Sequence, residues 1–299
     1  MNYLVIDVGG TFTKYAVMDE DCHFYKKDKT QTIYDTQAHF LDMLEDIFVK
    51  NGKGTAGIAL SSAGFIDSDT GVMYNAGSLR CVSNINIAEI LQKRCGIPVT
   101  VENDARCAAL AELWRGSLTG YDNGAVIICG TAVGGAIILN GKILRGKRLL
   151  AGEFSYLRAE SSDLMNPEQA FARAGSVRGL IRIVSEKKHI AAEELNGEKI
   201  FAMANDGDEE VLECIRKYAD RIVMLINNCQ YIFDPDRIAV GGGISAQPLF
   251  IQMIREELEN LNAVFPYKMP IPEVVPCRFF NDSNLIGALY VHLQSKKGE

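Results

Sequence analysis

Histidine is scarce in this 299-residue sequence: His23, His39, His189 and His292 are the only four, widely spaced and without an HExxH pair, which argues against a histidine-based zinc hydrolase. The eight cysteines (Cys22, Cys81, Cys95, Cys107, Cys129, Cys214, Cys229, Cys277) form no CxC or CxxC pair. They read as reduced core thiols of a cytosolic chain, not as a disulfide framework or a zinc site. No GxGxxG follows an apolar run, which argues against a dinucleotide enzyme. Positive charge is not in excess either. With a net charge of -7 and a pI near 5.3, the chain has no general attraction for nucleic acid or an anionic membrane, and any phosphate it binds must be held by local geometry. One charge-free stretch, between Asp122 and Lys142, has the length of a membrane span. Gly130, Gly134 and Gly135 break it between β-branched runs, so two strands and a turn are expected there instead. The opening Met1 to Asp7 runs straight into a motif, which leaves no room for a secretory leader and points to the cytoplasm.

What is present is an ordinary globular composition, 47% hydrophobic and 23% charged, in a length that suits two domains. NYLVIDVGGTFTKYAVMDE reads as strand, Gly-Gly turn, strand, and AVIICGTAVGGAIILNGK repeats that plan further on. Between them, Thr36 to Lys50 sets Phe40, Leu41, Leu44, Ile47 and Phe48 on one helical face and stops at Asn51-Gly52. GIALSSAGFID predicts a strand and loop, and IAEILQKRCG a helix closed by Gly96 and Pro98. A long helix carries Val211, Ile215, Tyr218, Ile222, Leu225 and Cys229 up to Asp234-Pro235. RIAVGGGIS is a strand running into a glycine turn, before a helix over Pro248 to Leu261. Strands alternate with helices throughout, so the fold class is α/β in two related halves, with a boundary near Ser117 to Asn123.

Three glycine loops and one Asn-Asp pair could carry chemistry. In Asp7-Val8-Gly9-Gly10-Thr11-Phe12-Thr13-Lys14 the glycines let backbone approach a phosphate, Thr11 can donate, Lys14 brings positive charge and Asp7 could hold Mg²⁺ directly or through water. A plain hairpin turn with an incidental lysine explains the same letters. Gly130-Thr131-Ala132-Val133-Gly134-Gly135 has the same two readings, although one donor loop in each half is what a triphosphate held between two domains needs. Gly241-Gly242-Gly243-Ile244-Ser245 suits close passage of the adenosine end of a nucleotide. Asn103-Asp104 ends a strand and opens a helix, where either residue can serve as a cap. Asp104 can also accept a hydroxyl proton, with Asn103 bonded to a neighbouring hydroxyl, and the two roles are compatible. Glu153, in LLAGEFSYLR, reads by itself as a loop charge. GKILRGK at Gly141 to Lys147 mimics a phosphate loop, but Arg148 stands where the Mg²⁺-binding hydroxyl belongs.

In their order, DVGGTFTK, SSAGFID, VENDARCAALAE, CGTAVGGAIILNGKILRG, AGEF and GGGIS resemble the ROK family of bacterial sugar kinases and sugar-responsive repressors, from Asn2 to about Leu293. The resemblance implies an actin-like (ribonuclease H-like) fold of two α/β domains around a cleft, 1–117 plus about 285–299 and 118–284, with the last helix returning to the first domain. It implies ATP and Mg²⁺ as cofactors and a homodimer. The family's catalytic aspartate falls on Asp104 and its sugar-binding asparagine on Asn103. Its sugar-binding glutamate falls on Glu153, which replaces the loop-charge reading. Ser62 and Gly64 of SSAGFID join the substrate-binding set. The phosphate loops fall on Asp7, Gly9, Gly10, Thr11 and Lys14 and on Gly130, Thr131 and Gly134, with Gly242 and Gly243 on the nucleotide. Tyr156 stands where many members have histidine, and CxCGxxGC is absent, so no structural zinc is expected. That change also leaves the last sugar-contacting glutamate unassigned, with Glu168 nearby. The zinc-less GEFSY variant, EKIFAMANDGDEEV and YIFDPDRIAVGGGIS resemble the β-glucoside kinases of the family, which act on the 6-hydroxyl of the non-reducing glucose of disaccharides such as cellobiose. Kinases of free hexoses or N-acetylhexosamines are the alternative. A non-catalytic sugar-sensing regulator is the distant one, since repressors of the family carry a helix-turn-helix ahead of this region.

Overall fold

The computed structural model describes residues 1–77, 79–160 and 162–296. The chain divides into two compact units, one formed by 1–114, 145–150 and 282–299 and the other by 115–144 and 151–281.

In the first unit, β1 (Asn2–Val8), β2 (Phe12–Asp19) and β3 (Phe24–Gln31) form an antiparallel meander. Helix α1 (Gln37–Asn51) follows, capped where the Thr36 side chain accepts from the His39 amide at 3.1 Å. Strand β4 (Ile58–Ser62) pairs parallel with β1. The short β5 (Phe65–Asp67), β6 (Val72–Asn75) and β7 (Ile85–Asn86) make a small separate sheet. Helix α2 (Ile87–Cys95) then leads to β8 (Val99–Asn103), parallel to β4, and to α3 (Asp104–Arg115). The main sheet runs β3-β2-β1-β4-β8. Central β1 is buried from Tyr3 to Val8, with Asp7 the one charged residue in that run, as suits a strand covered on both faces. Edge strand β3 is almost wholly exposed and carries Lys26, Lys27 and Lys29, charges that discourage edge pairing with another chain. Leu4, Ile6, Phe40, Leu44, Leu60 and Val101 centre the core of this unit.

The second unit repeats the plan. Its β9 (Gly124–Cys129), β10 (Val133–Leu139) and β11 (Lys142–Ile143) form a meander. Helices α4 (Phe171–Ala174), α5 (Val177–Lys188), α6 (Gly197–Asn205) and α7 (Glu209–Phe233) precede β12 (Arg237–Gly241), then α8 (Pro248–Ala263) and β13 (Glu273–Pro276). The order β11-β10-β9-β12-β13 repeats that of the first sheet strand for strand. Tyr218 and Ile222 of α7, Phe250 of α8, Ile127 and Val240 pack its core. The last helix, α9 (Ser283–Ser295), packs on the β1, β4 and β8 sheet of the first unit. Segment 145–150 also groups with the first unit, a return that no shift of composition signals. None of the eight cysteines forms a disulfide, and Cys107, Cys129, Cys214, Cys229 and Cys277 are buried. Among the described residues no helix is long and apolar enough to cross a membrane.

Candidate active site

Parallel pairing in register brings the first set of residues together. Asp7 lies opposite Ser61, and Ser61 opposite Glu102; one step on, Val8, Ser62 and Asn103 align. The carboxyl ends of β1, β4 and β8 therefore finish side by side, where open α/β sheets gather their functional groups. Asp7 is buried. Its Oδ1 accepts from Ser61 Oγ at 2.9 Å and from Asn284 Nδ2 at 3.1 Å, and Lys14 lies opposite it on β2. Burial raises its pKa, while those two hydrogen bonds and the charge of Lys14 act the other way. The turn after β1 closes by a bond from the Gly9 amide to the Phe12 carbonyl at 3.1 Å, which leaves Gly10 and Thr11 exposed at its tip.

Asn103 and Asp104 sit at the junction of β8 and α3. The Asn103 side-chain Oδ1 caps the helix by accepting from the Arg106 amide at 3.0 Å, and its Nδ2 donates to the Gly64 carbonyl at 3.0 Å. A primary amide has two N–H groups and two lone pairs; the Gly64 carbonyl and the Asp104 carboxylate take the two N–H groups of Asn103, and the cap leaves its Oδ1 one lone pair. Gly64 is held at φ +115°, where a Cβ would come 1.9 Å from the Asn75 carbonyl oxygen, so only glycine serves there. Asp104 is half-buried, and its Oδ1 accepts from the Ala105 amide at 2.8 Å. Burial first, and the negative charge of Asp7 second, push its carboxyl up to about 6, against the pull of those helix-end amides and Asn103. An aspartate at this position is ionised at neutral pH yet basic enough to take a proton.

The second set gathers in the other unit. The turn after β9 closes with the Gly130 amide donating to the Ala132 carbonyl at 3.1 Å, and it exposes Thr131 as the first turn exposes Thr11. Gly242, at φ +91°, lies so near the end of β9 that a Cβ would come 2.1 Å from the Cys129 carbonyl oxygen, so the second and third glycine loops are neighbours. Gly243 lines a cavity of about 370 Å³ with Val177, Asn196, Phe201, Ile244 and Gln247. On β10, Gly134 pairs with Ile128 and Gly135 gives way to the Phe154 ring, which fixes the short turn after Glu153 beside this strand. Glu168 is exposed and pairs with Arg182 at 3.2 Å and Arg173 at 3.9 Å.

Ser62 is buried, with its hydroxyl on the Ala63 carbonyl at 3.5 Å, whereas Ser61 is the serine that touches Asp7. Sequence reasoning missed Ser61, although strand alternation separates the two faces; it also missed Asn284, whose partner lies at the other end of the chain. Among the described residues no three His, Cys, Asp or Glu side chains cluster to hold a metal ion.

Two five-stranded sheets of identical order, each with glycine loops at its strand ends, define an α/β protein of the actin-like ATPase fold. Residues 3–295 match the ROK family, and the chain belongs to it. It is 31% identical over 297 residues to the β-glucoside kinase of Listeria monocytogenes, covering 99% of each chain. A ROK family protein from Streptococcus pneumoniae TIGR4, solved in complex with sucrose, superimposes with a TM-score of 0.89 at 29% identity over the whole of both chains. A ROK family glucokinase from Streptomyces griseus, solved with glucose and AMPPNP, has the same fold at 24% identity and a TM-score of 0.85, covering 98% of this chain and all of the other.

Proposed function

We propose that this protein is an ATP-dependent kinase that phosphorylates the 6-hydroxyl of a glucose unit, with a β-glucoside such as cellobiose or gentiobiose as substrate. The observation that carries the chemistry is Asp104, a half-buried carboxylate with a pKa of about 6 at a strand end, hydrogen-bonded by an asparagine whose Oδ1 keeps one lone pair. The substrate class rests on the full-length similarity to a β-glucoside kinase. Asn103, Glu153, Ser62 and Gly64 form the sugar-binding set. Gly9, Gly10, Thr11 and Lys14, with Gly130, Thr131 and Gly134, take the phosphates. Gly242 and Gly243 take the nucleoside, and the cavity beside Gly243 is roomy enough for a base.

Asp104 accepts the proton of the 6-hydroxyl while the sugar oxygen bonds to the γ-phosphorus of ATP and the bond to the ADP oxygen breaks; the proton then passes to solvent. Such a transfer depends mostly on positioning and charge neutralisation, so a carboxylate in the right place is a sufficient base. Asp7 is the residue that would hold Mg²⁺. A buried carboxylate, with Asp104 close enough to feel its charge, fits a hard cation whose remaining ligands are water and phosphate oxygens. When bound, the ion would neutralise phosphate charge. Eight cysteines without a disulfide accord with a reducing cytoplasm, and family membership with a homodimer.

A coupled ADP-release assay across glucose, mannose, N-acetylmannosamine, cellobiose and gentiobiose tests this reading. Turnover of cellobiose or gentiobiose at a higher kcat/KM than free glucose is the expected result. Turnover of glucose with none of the disaccharides would remove the β-glucoside assignment, and turnover of no sugar would remove the kinase.

A further inference from the structure

Glu102 has no solvent exposure, and it immediately precedes Asn103 and Asp104. Its carboxylate ties the main chain of that pair to more distant parts of the unit. Oε1 accepts the amide of Asn103 at 2.8 Å, which fixes the main chain at the turn from β8 into α3. The buried Arg106 stands 3.6 Å from the same oxygen. Oε2 accepts from Ser68 Oγ at 3.1 Å and pairs with Arg145 at 2.7 Å. Arg106 in turn donates to the Ile66 carbonyl at 3.2 Å and to the Leu149 carbonyl at 2.6 Å. Two separate anchors, Arg145 and the Leu149 carbonyl, thus hold segment 145–150 against the start of α3, and the chain reaches Glu153 three residues beyond that segment.

A buried ion pair is a weak source of stability, because desolvation offsets most of its attraction, but it defines one geometry where packed aliphatic groups would accept several. Here that geometry belongs to a base that must meet a hydroxyl within a fraction of an ångström. We propose that Glu102 and Arg145 form a clamp that positions Asn103 and Asp104 for phosphoryl transfer. Both are positioning residues, acting through the main chain of Asn103, and the proposal rests on the reading of Asp104 as the base.

Arg145 is the position to vary, because its side chain is 28% exposed and lies outside both cores. In the full-length enzyme, Arg145→Ala is expected to lower kcat about 10- to 100-fold, as a misplacement of about 1 Å does, with the Michaelis constant for ATP changed by no more than about twofold. The melting temperature should stay within a few degrees of wild type. Arg145→Lys should restore part of the loss by returning a cation to Glu102. The Glu102→Gln/Arg145→Ala double variant should be no slower than Glu102→Gln alone, since both changes remove one interaction. The proposal is overturned by an Arg145→Ala enzyme within about twofold of wild-type kcat, by a loss matched by the unfolded fraction in circular dichroism, or by additive losses in the double variant. Asp104→Asn run in parallel separates the two readings. If that variant is inactive while Arg145→Ala is normal, only the clamp fails; if it is as active as wild type, the base assignment fails and takes the clamp with it.

Discussion

Asn284 of the last helix donates to Oδ1 of Asp7 on the first strand at 3.1 Å, joining residues 277 positions apart in the chain. This bond and the one from Ser61 support the ionised form of a carboxylate that burial disfavours. Removing a donor to a charged group costs about 1.5 to 3 kcal/mol, so Asn284→Ala should raise the Michaelis constant for ATP about tenfold or more while that for the sugar changes little. Steady-state kinetics with each substrate varied in turn checks this. Equal effects on both constants would mean that Asp7 does not serve the nucleotide side.

Asp104→Asn keeps the shape of the site but cannot accept a proton. Its kcat should fall about 100-fold or more with sugar binding nearly intact, measured by coupled assay and by calorimetric titration with the sugar. In the wild type the base works only when ionised, and its pKa is pushed up to about 6 by burial and by Asp7. The profile of kcat/KM should therefore be flat above that pH and fall as the pH drops through about 6. A limb near the ordinary carboxylate value would show that neither burial nor Asp7 acts on it in solution.

Thr131 sits exposed at the tip of the turn after β9, where its hydroxyl and amide are open to a phosphate. Thr131→Ala should raise the ATP requirement by about tenfold, the scale of one hydrogen bond to a charged partner, and leave the sugar constant alone. An unchanged Michaelis constant for ATP would remove this loop from the nucleotide site.

His292 reports on acid stability instead of activity. It is buried, with Nδ1 3.0 Å from the Thr100 hydroxyl and Nε2 without a partner. Burial, aided by the charge of Lys296, lowers its pKa from 6.5 to about 4. Between those values only the unfolded chain takes up the proton, so the contribution of His292 is complete above pH 6.5 and is lost as the pH falls toward 4. At about pH 5 the loss is about 2 kcal/mol. Denaturant titrations at neutral pH and at about pH 5 should show a smaller difference for His292→Leu than for wild type, whatever that variant loses at neutral pH. An equal difference would mean that the ring is not held neutral.

Local signals in the sequence were strong where one segment settles its own conformation. The Thr36 cap and the Phe40, Leu41, Leu44, Ile47 stripe define α1 to within one residue at each end, and Asp234-Pro235 ends α7 where expected. Glycine between β-branched runs marked both hairpin turns, and the two related halves appear as two sheets of the same strand order. Ser61 shows the limit of such reading. It touches Asp7 although sequence reasoning passed it over, and which of two adjacent serines does so depends on the register of β4 against β1.

The order of residues alone determined the α/β class, the glycine loops and the candidate Asn103-Asp104 pair, because turns, caps and strand alternation are decided within a few residues. Only the tertiary structure decided that Ser61 and Asn284 attend Asp7, that Glu102 is the buried centre of an arginine pair, and that segment 145–150 belongs with the first unit. Those are contacts between strands and helices far apart in the chain. They arise from register and burial once the sheet has formed, and no local pattern encodes them.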